Sequence, residues 1–249
     1  MPQEPILKVS GLFKHYGSFR AVDGISFEVL PGQVIGLLGP NGAGKTTTIN
    51  MVLGILDPSG GKVEIFGQDA KEHSCEVSRK INFAAVYAHL LPNLTVWQNL
   101  YIFGLLYGVL DLKKRIDFLL GDFDLAKFTK TKAGLLSSGE LSRLSLAKAV
   151  INEPDLLLLD EPTASLDPSV ALSIREKIKE YVEKNDIAVL WASHNMKEIE
   201  AVCDQVMFLS HGKILLAGDP KTLPAAHGKK DLEELFIAAA REPLSINHQ

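Results

Sequence analysis

Cysteine is scarce in this sequence. Two thiols, Cys75 and Cys203, stand among 249 residues, and they lack any paired spacing for zinc or dithiol chemistry. A disulfide framework is excluded, and the low count fits a reducing compartment. An excess of basic charge is missing too. Lys and Arg total 26 against 30 Asp and Glu, a net charge of −4. That argues against nucleic acid as a partner, because backbone binding rests on a clustered basic face. Long apolar runs are absent. The longest, "LYIFGLLYGVL" from Leu100 to Leu110, makes about 16 Å of helix, too short to span a bilayer. The opening "MPQEPILKVS" has no basic stretch followed by an apolar core, so no secretory leader is expected. Low-complexity segments and internal repeats are lacking as well.

What is present reads as a folded protein with a sizeable core. Hydrophobic residues make 46% and charged residues 22% of the chain, ordinary values for a soluble globular protein of one large or two modest domains. Short β-like runs recur at 6–9, 25–29, 34–38 and 62–66, and again at 155–160, 187–193, 205–210 and 213–218. The early runs alternate in part, as antiparallel strands with one wet face do. The Leu156–Leu159 run is apolar throughout, as a parallel strand covered on both faces would be. Between the later runs, "ALSIREKIKEYVEK" places Ile174, Ile178, Tyr181 and Val182 at helical spacing and leads straight into "IAVLWAS", the order of an α/β layer. Residues from about 88 to 152 read as mostly helical. The tail "DLEELFIAAAR" sets Leu232, Leu235, Phe236 and Ala239 on one helix face. The expected fold class is therefore α/β, with a helical segment inserted into the core.

"GPNGAGKTT", Gly39 to Thr47, fits G-x-x-x-x-G-K-[ST]. It follows the apolar run Val34–Leu38 and opens the helical "TTTINMVLGIL", the context that separates a phosphate loop from a chance glycine turn. Backbone N–H groups of Gly39, Pro40's neighbours Asn41, Gly42 and Ala43, and then Gly44 close around a phosphate chain. Lys45 reaches the β- and γ-phosphates, the Thr46 hydroxyl suits Mg²⁺, and Thr47 continues the motif.

Two further strand ends carry chemistry. "LLLLDEP" finishes on Asp160 and Glu161. In a phosphate-loop protein a carboxylate there holds Mg²⁺, and its neighbour, pointing the other way, is placed to polarise an attacking water. "LWASHNM" delivers His194. Ligands of open α/β sheets gather outside the carboxyl ends of the strands, so His194 is a candidate γ-phosphate contact. By itself a histidine after a strand is more often structural. "LSSGE", Leu136 to Glu140, puts a small flexible turn at the start of an Ala-rich helix, and bare N–H groups at a helix start are an anion site. An ordinary serine cap uses the same device.

"GPNGAGKTT", "LSSGE", "LLLLDEPTASLDP" and "ASHNM" occur in the order and spacing of an ATP-binding cassette (ABC) ATPase. The chain resembles that family from Leu7 to about Leu223. The resemblance implies a P-loop NTPase with a RecA-like core, an N-terminal antiparallel β subdomain and a helical subdomain, here about 88–152, followed by a short tail over 224–249. It implies ATP and Mg²⁺ as cofactors, with Thr46 and Asp160 as metal ligands and Glu161 and His194 as catalytic groups. It implies head-to-tail pairing of two cassettes, as homodimer or heterodimer, in which Leu136, Ser137, Ser138, Gly139 and Glu140 contact the ATP of the other copy. Tyr16 matches the aromatic that stacks on adenine, and Ser165, Leu166 and Asp167 match the turn linking the two sites.

Three departures stand out. Ser138 replaces a glycine and Glu140 replaces the usual glutamine, both tolerated in the family. Val86 stands where the family has a metal-ligating glutamine, with Tyr87 and His89 nearby. Metal coordination is therefore expected to rest on Thr46, Asp160 and water. The expected function is the ATP-hydrolysing subunit of a membrane transporter, on the cytoplasmic face of the membrane, with permeases on other chains. The aromatic-rich segment 86–110 is the expected permease contact. The compact length, that segment and the short tail resemble ABC-2-type export systems more than sugar importers. A soluble cassette acting in DNA repair or translation is the second reading. It is weakened by the lack of a heptad stretch, cysteine clusters or a second cassette. A phosphotransferase would have no use for "LSSGE" or "SLDP".

Overall fold

The computed structural model describes residues 3–72, 75–85, 90–164 and 166–241. In chain order the strands and helices are β1 (Leu7–Tyr16), β2 (Phe19–Val29), β3 (Val34–Leu38), α1 (Lys45–Val52), β4 (Gly60–Ile65), β5 (Gln68–Asp69), α2 (Cys75–Arg79) and β6 (Ile81–Ala85). There follow α3 (Val96–Tyr107), α4 (Leu112–Asp122), α5 (Ser138–Ala149), β7 (Leu156–Asp160), α6 (Pro168–Asn185) and β8 (Ala188–Ser193). The chain closes with α7 (Met196–Val202), β9 (Gln205–Ser210), β10 (Lys213–Gly218), α8 (Leu223–Ala226) and α9 (Leu232–Arg241). These fall into two compact units. One joins the N-terminal stretch to everything from Ala188 onward, and the other runs from the start of α2 to Ile187.

The first unit holds an antiparallel sheet in the order β2-β1-β4-β5. Its pairing follows the alternation of the sequence. Leu7 faces Val29 and Val9 faces Phe27, all buried, while Lys8 and Glu28 between them point outward and pair at 2.8 Å. Beside this sheet, strands run in the order β10-β9-β3-β8. β3 is parallel to both β8 and β9, and β10 returns antiparallel on β9. Every residue of β3 and β8 is buried, as strands covered on both faces must be. Trp191 and Phe208 are the largest fully buried side chains. Helix α9 buries Leu232, Leu235 and Ala239, and Phe236 stacks on Phe208 with centroids 5.5 Å apart. The expected apolar face of the tail thus closes this core.

The second unit contains the parallel pair β6 and β7, in register from Ile81 opposite Leu156 to Ala85 opposite Asp160. Around them lie α2 to α6. Helix α6 buries Ala171, Ile174, Ile178 and Val182, the helical spacing of the sequence. Tyr181 is part-buried and its hydroxyl accepts from Arg115 at 3.2 Å. Between 90 and 152 the described residues form helices and tight turns, with one isolated bridge between Thr95 and Lys132. Helix α3 starts at a reciprocal cap, the Thr95 hydroxyl accepting from the Gln98 N–H and the Gln98 amide oxygen from the Thr95 N–H. Asn99, fully buried, donates to the carbonyls of Leu91, Leu94 and Thr95 and accepts from the Leu91 N–H. A polar side chain so deep is stable only when so fully bonded.

Candidate functional site

The phosphate loop lies in the first unit, between the end of β3 and the start of α1. Gly44 caps α1 in a conformation of φ +109° and ψ +4°. A side chain there would strike the Ala21 carbonyl of β2 and crowd Val22, so glycine is dictated by both backbone and space. The helix it opens has no acidic residue in its first turn, and the dipole at that end favours an anion. Lys45 is only 6% exposed. Its ammonium donates to the carbonyls of Gly39 at 2.6 Å and Pro40 at 3.2 Å, which points the charge into the loop's own curve. Ala43 N donates to the Pro40 carbonyl at 3.1 Å and Thr48 N to the Gly44 carbonyl at 2.9 Å, so the turn from Pro40 to Gly44 is fixed at both ends. Asn41 and Gly42 form its exposed crest, and Thr46 is also exposed on the first helical turn.

His194 is brought to this loop by strand pairing. Leu38 of β3 lies opposite Ser193 of β8, and the Gly39 N–H donates to the Ser193 carbonyl at 3.2 Å. The exposed His194 therefore follows directly on the residue that anchors the first glycine of the loop. Its turn is held from below. The Ser193 hydroxyl donates to the buried Glu198 carboxylate at 2.6 Å and accepts from the Asn195 N–H at 3.1 Å. The Asn195 side chain caps α7 by accepting from the Glu198 N–H. Sequence reasoning passed over Glu198, although Asn195 and Glu198 have the spacing of a capping pair. Tyr16 ends β1 at a tight hairpin opposite Phe19, 51% exposed, with the Lys14 ammonium 5.3 Å from its ring centre. An open aromatic face on a hairpin tip suits stacking against a flat base.

The second unit carries the remaining candidates. Asp160 ends the wholly buried β7 and is 9% exposed. Glu161 follows with φ +54°, a left-handed turn that leads the chain away from the strand. The turn continues through Ala164 N donating to the Glu161 carbonyl and Leu166 N to the Thr163 carbonyl. Asp167 then takes the N-cap position of α6 without a side-chain capping bond, with Pro168 at the first helical position. Ser165 lies outside the described residues, as do Val86, Tyr87 and His89, so the departure at the glutamine position has no structural description.

"LSSGE" is a built helix start. Leu136 is extended, and Ser137 caps α5. The Ser137 hydroxyl accepts from the Glu140 N–H, and the Glu140 carboxylate accepts from the Ser137 N–H at 2.8 Å. That N–H is the main reason the Glu140 carboxyl titrates below the usual carboxylate range. Ser137 and Ser138 are exposed. Gly139 packs against Val170 in the first turn of α6, 3.0 Å from where a side-chain carbon would stand. The turn carrying the serines and the turn carrying Leu166 and Asp167 are thus adjacent.

Strand, glycine loop, lysine and helix N-terminus define the class, a P-loop nucleotide-binding protein. The family follows from comparison. A family model described as ABC transporter matches residues 22–164. The chain is 38% identical over 234 residues to the Nod factor export ATP-binding protein I of Ralstonia nicotianae, covering 93% of this chain and 73% of that one. It is 37% identical over 225 residues to the bacitracin transport ATP-binding protein BcrA of Bacillus licheniformis, covering 90% and 72%. Among solved structures it resembles cbiO1 of Clostridium perfringens, described as part of the ABC transporter complex cbiONQ. That match has a TM-score of 0.80 at 28% identity, over 90% of this chain and 92% of that one. The chain belongs to the ABC transporter family. It is an ATP-binding ATPase subunit of that family, and a non-transport role in DNA repair or translation is not favoured.

Proposed function

We propose that this subunit powers export through separate membrane permeases, working as one of two paired cassettes. In each copy the loop from Gly39 to Thr47 would hold the ATP phosphates and Tyr16 the adenine. Thr46 and Asp160 would hold Mg²⁺. An alcohol, a carboxylate, phosphate oxygens and water are the hard donors this ion takes. Among the described residues no cluster of three His, Cys, Asp or Glu competes for a metal. Glu161 would polarise the attacking water and His194 would contact the γ-phosphate. Leu136, Ser137, Ser138, Gly139 and Glu140 would close on the nucleotide of the other copy, and Ser165, Leu166 and Asp167 would link the two sites. The pair would be a homodimer or heterodimer at the cytoplasmic face of the membrane, contacting the permease through residues 86–110. No helix of the described residues is long and apolar enough to cross a membrane, and a net charge of −4 speaks against nucleic acid as a partner.

The observation that carries this reading is the exposed serine turn at the start of α5, whose capping box engages the N–H groups of Ser137 and Glu140 and not those of Ser138 and Gly139. Its own N–H and hydroxyl groups are ordered, and it faces solvent rather than a core. The transport names of the relatives support the direction. The test uses Glu161→Gln with ATP, followed by light scattering on a sizing column. The expected result is a doubling of mass from 27.2 kDa that Ser137→Arg abolishes. A chain that binds ATP but stays single, alone and with its permease, would sink the paired mechanism.

A further inference from the structure

The hairpin formed by α3 and α4 ends in a tip with unusual chemistry. Leu105, Leu106 and Leu110 are 58%, 74% and 89% exposed. One exposed leucine is ordinary, but three within six residues form a patch. They are not displaced from a loose end. Leu112 fills the hollow beside Gly104, and Gly108 closes α3 with φ +69° and a backbone bond to the Leu105 carbonyl. The packed hairpin therefore holds its leucines outward.

Cations flank the patch. The Arg79 guanidinium lies 3.7 Å from where a side-chain carbon on Gly108 would stand. Lys113 and Lys114 are exposed in the first turn of α4, which contains no acidic residue. Ammonium groups at a helix N-terminus oppose the dipole, so helix stability does not account for them. Asp111 is the single carboxylate between 105 and 114. Beneath Leu110 opens a cleft of about 300 Å³ lined by Arg79, Tyr107, Arg115, Asn152 and Glu153 among others, with Glu153 paired to Arg115 at 3.0 Å.

Exposed leucines flanked by Arg79, Lys113 and Lys114 suit one kind of surface, acyl chains beneath anionic headgroups. We infer that the tip of the α3–α4 hairpin binds an anionic phospholipid surface, with Leu106 and Leu110 entering the interface and Arg79, Lys113 and Lys114 on the phosphates. This rests on the reading of the chain as a peripheral membrane subunit and deepens it: within the segment 86–110 it assigns the exposed leucines of the tip to lipid and leaves the rest of that segment to the permease.

The experiment is co-sedimentation of the purified full chain with vesicles of phosphatidylcholine alone or mixed with phosphatidylglycerol, in low and high salt. Binding of a fluorescent ATP analogue is read on the same samples. The expected result is capture by the mixed vesicles only, weakened by salt. Lys113→Gln with Lys114→Gln should lower the binding constant about thirtyfold. Leu106→Ser with Leu110→Ser should lower it about tenfold or more, with nucleotide binding intact in both. A wild-type chain that binds nucleotide yet ignores the mixed vesicles overturns the lipid contact and leaves the ATPase reading standing. Equal capture of the leucine variant also overturns it. So does capture only by vesicles carrying the permease, which would assign the tip to a protein.

Discussion

Gly44→Ala tests the phosphate loop where backbone and packing act together. Gly44 sits at φ +109°, beyond the left-handed well that other residues enter, and forcing alanine there costs about 1–3 kcal/mol. The added methyl would also collide with the Ala21 carbonyl and stand 3.3 Å from Val22 Cγ2. β2 cannot simply retreat, because Val22 is paired with Lys14 across the hairpin. That overpacking adds about 1–3 kcal/mol. A total near 4 kcal/mol lowers the melting temperature by roughly 8–16 °C in a chain this size. Gly42→Ala is the control. Gly42 has φ +81° but nothing within 4 Å of its would-be side chain, so only the backbone cost applies, about 1–2 kcal/mol and a few degrees. The two variants are compared by differential scanning fluorimetry and by titration with a fluorescent ATP analogue. Gly44→Ala should bind at least about tenfold more weakly, since it misdirects N–H donors whose bonds to a charged phosphate are worth about 1.5–3 kcal/mol each. Equal melting and equal affinity for the two variants would refute the geometry assigned to the loop.

Two further outcomes follow from titratable groups. Ser137→Ala should cost about 1 kcal/mol by removing the cap of α5, measured by urea denaturation. Because the Ser137 N–H holds the Glu140 carboxyl below its usual range, that cap is intact above the ordinary carboxylate range. It is lost as pH falls through the lowered value, so Glu140→Gln should flatten the acid limb of the stability curve. Lys148 of α5 is buried and donates to the Phe83 carbonyl at 3.0 Å, with the Phe103 ring 5.3 Å away. Burial lowers its pKa from 10.5 to about 8. Between those values the unfolded chain keeps the proton and the folded chain releases it, so stability should rise with pH across that window, by on the order of 3 kcal/mol. Subtracting the curve of Lys148→Met from that of the wild type should isolate this rise, and a flat difference would refute it.

The sequence by itself determined the chemistry that is local. The phosphate loop needs its glycines, lysine and threonine at fixed spacing, so it was legible as text. The capped turn at Ser137, the carboxylates after four leucines and the helix faces at Ile174, Ile178 and Leu235 were legible for the same reason. Each is written within a few residues by backbone geometry or by a 3.6- or 2-residue period. β6 was not legible. "INFAA" has neither strict alternation nor a β-branched run, and it is a strand because Ile81 to Ala85 pair with Leu156 to Asp160, far along the chain. The same holds for the buried polar seam in which Tyr107 donates to Asn82, and Asn82 donates to Asn152. Only tertiary structure decided that His194 sits beside the phosphate loop, since the Gly39 N–H and the Ser193 carbonyl meet across 153 residues of intervening chain only when β3 and β8 are parallel neighbours. It also decided that Leu106 and Leu110 face outward beside Lys113 and Lys114. A helical pattern records which residues share a face, and packing against the rest of the fold determines which face is left for solvent or a partner.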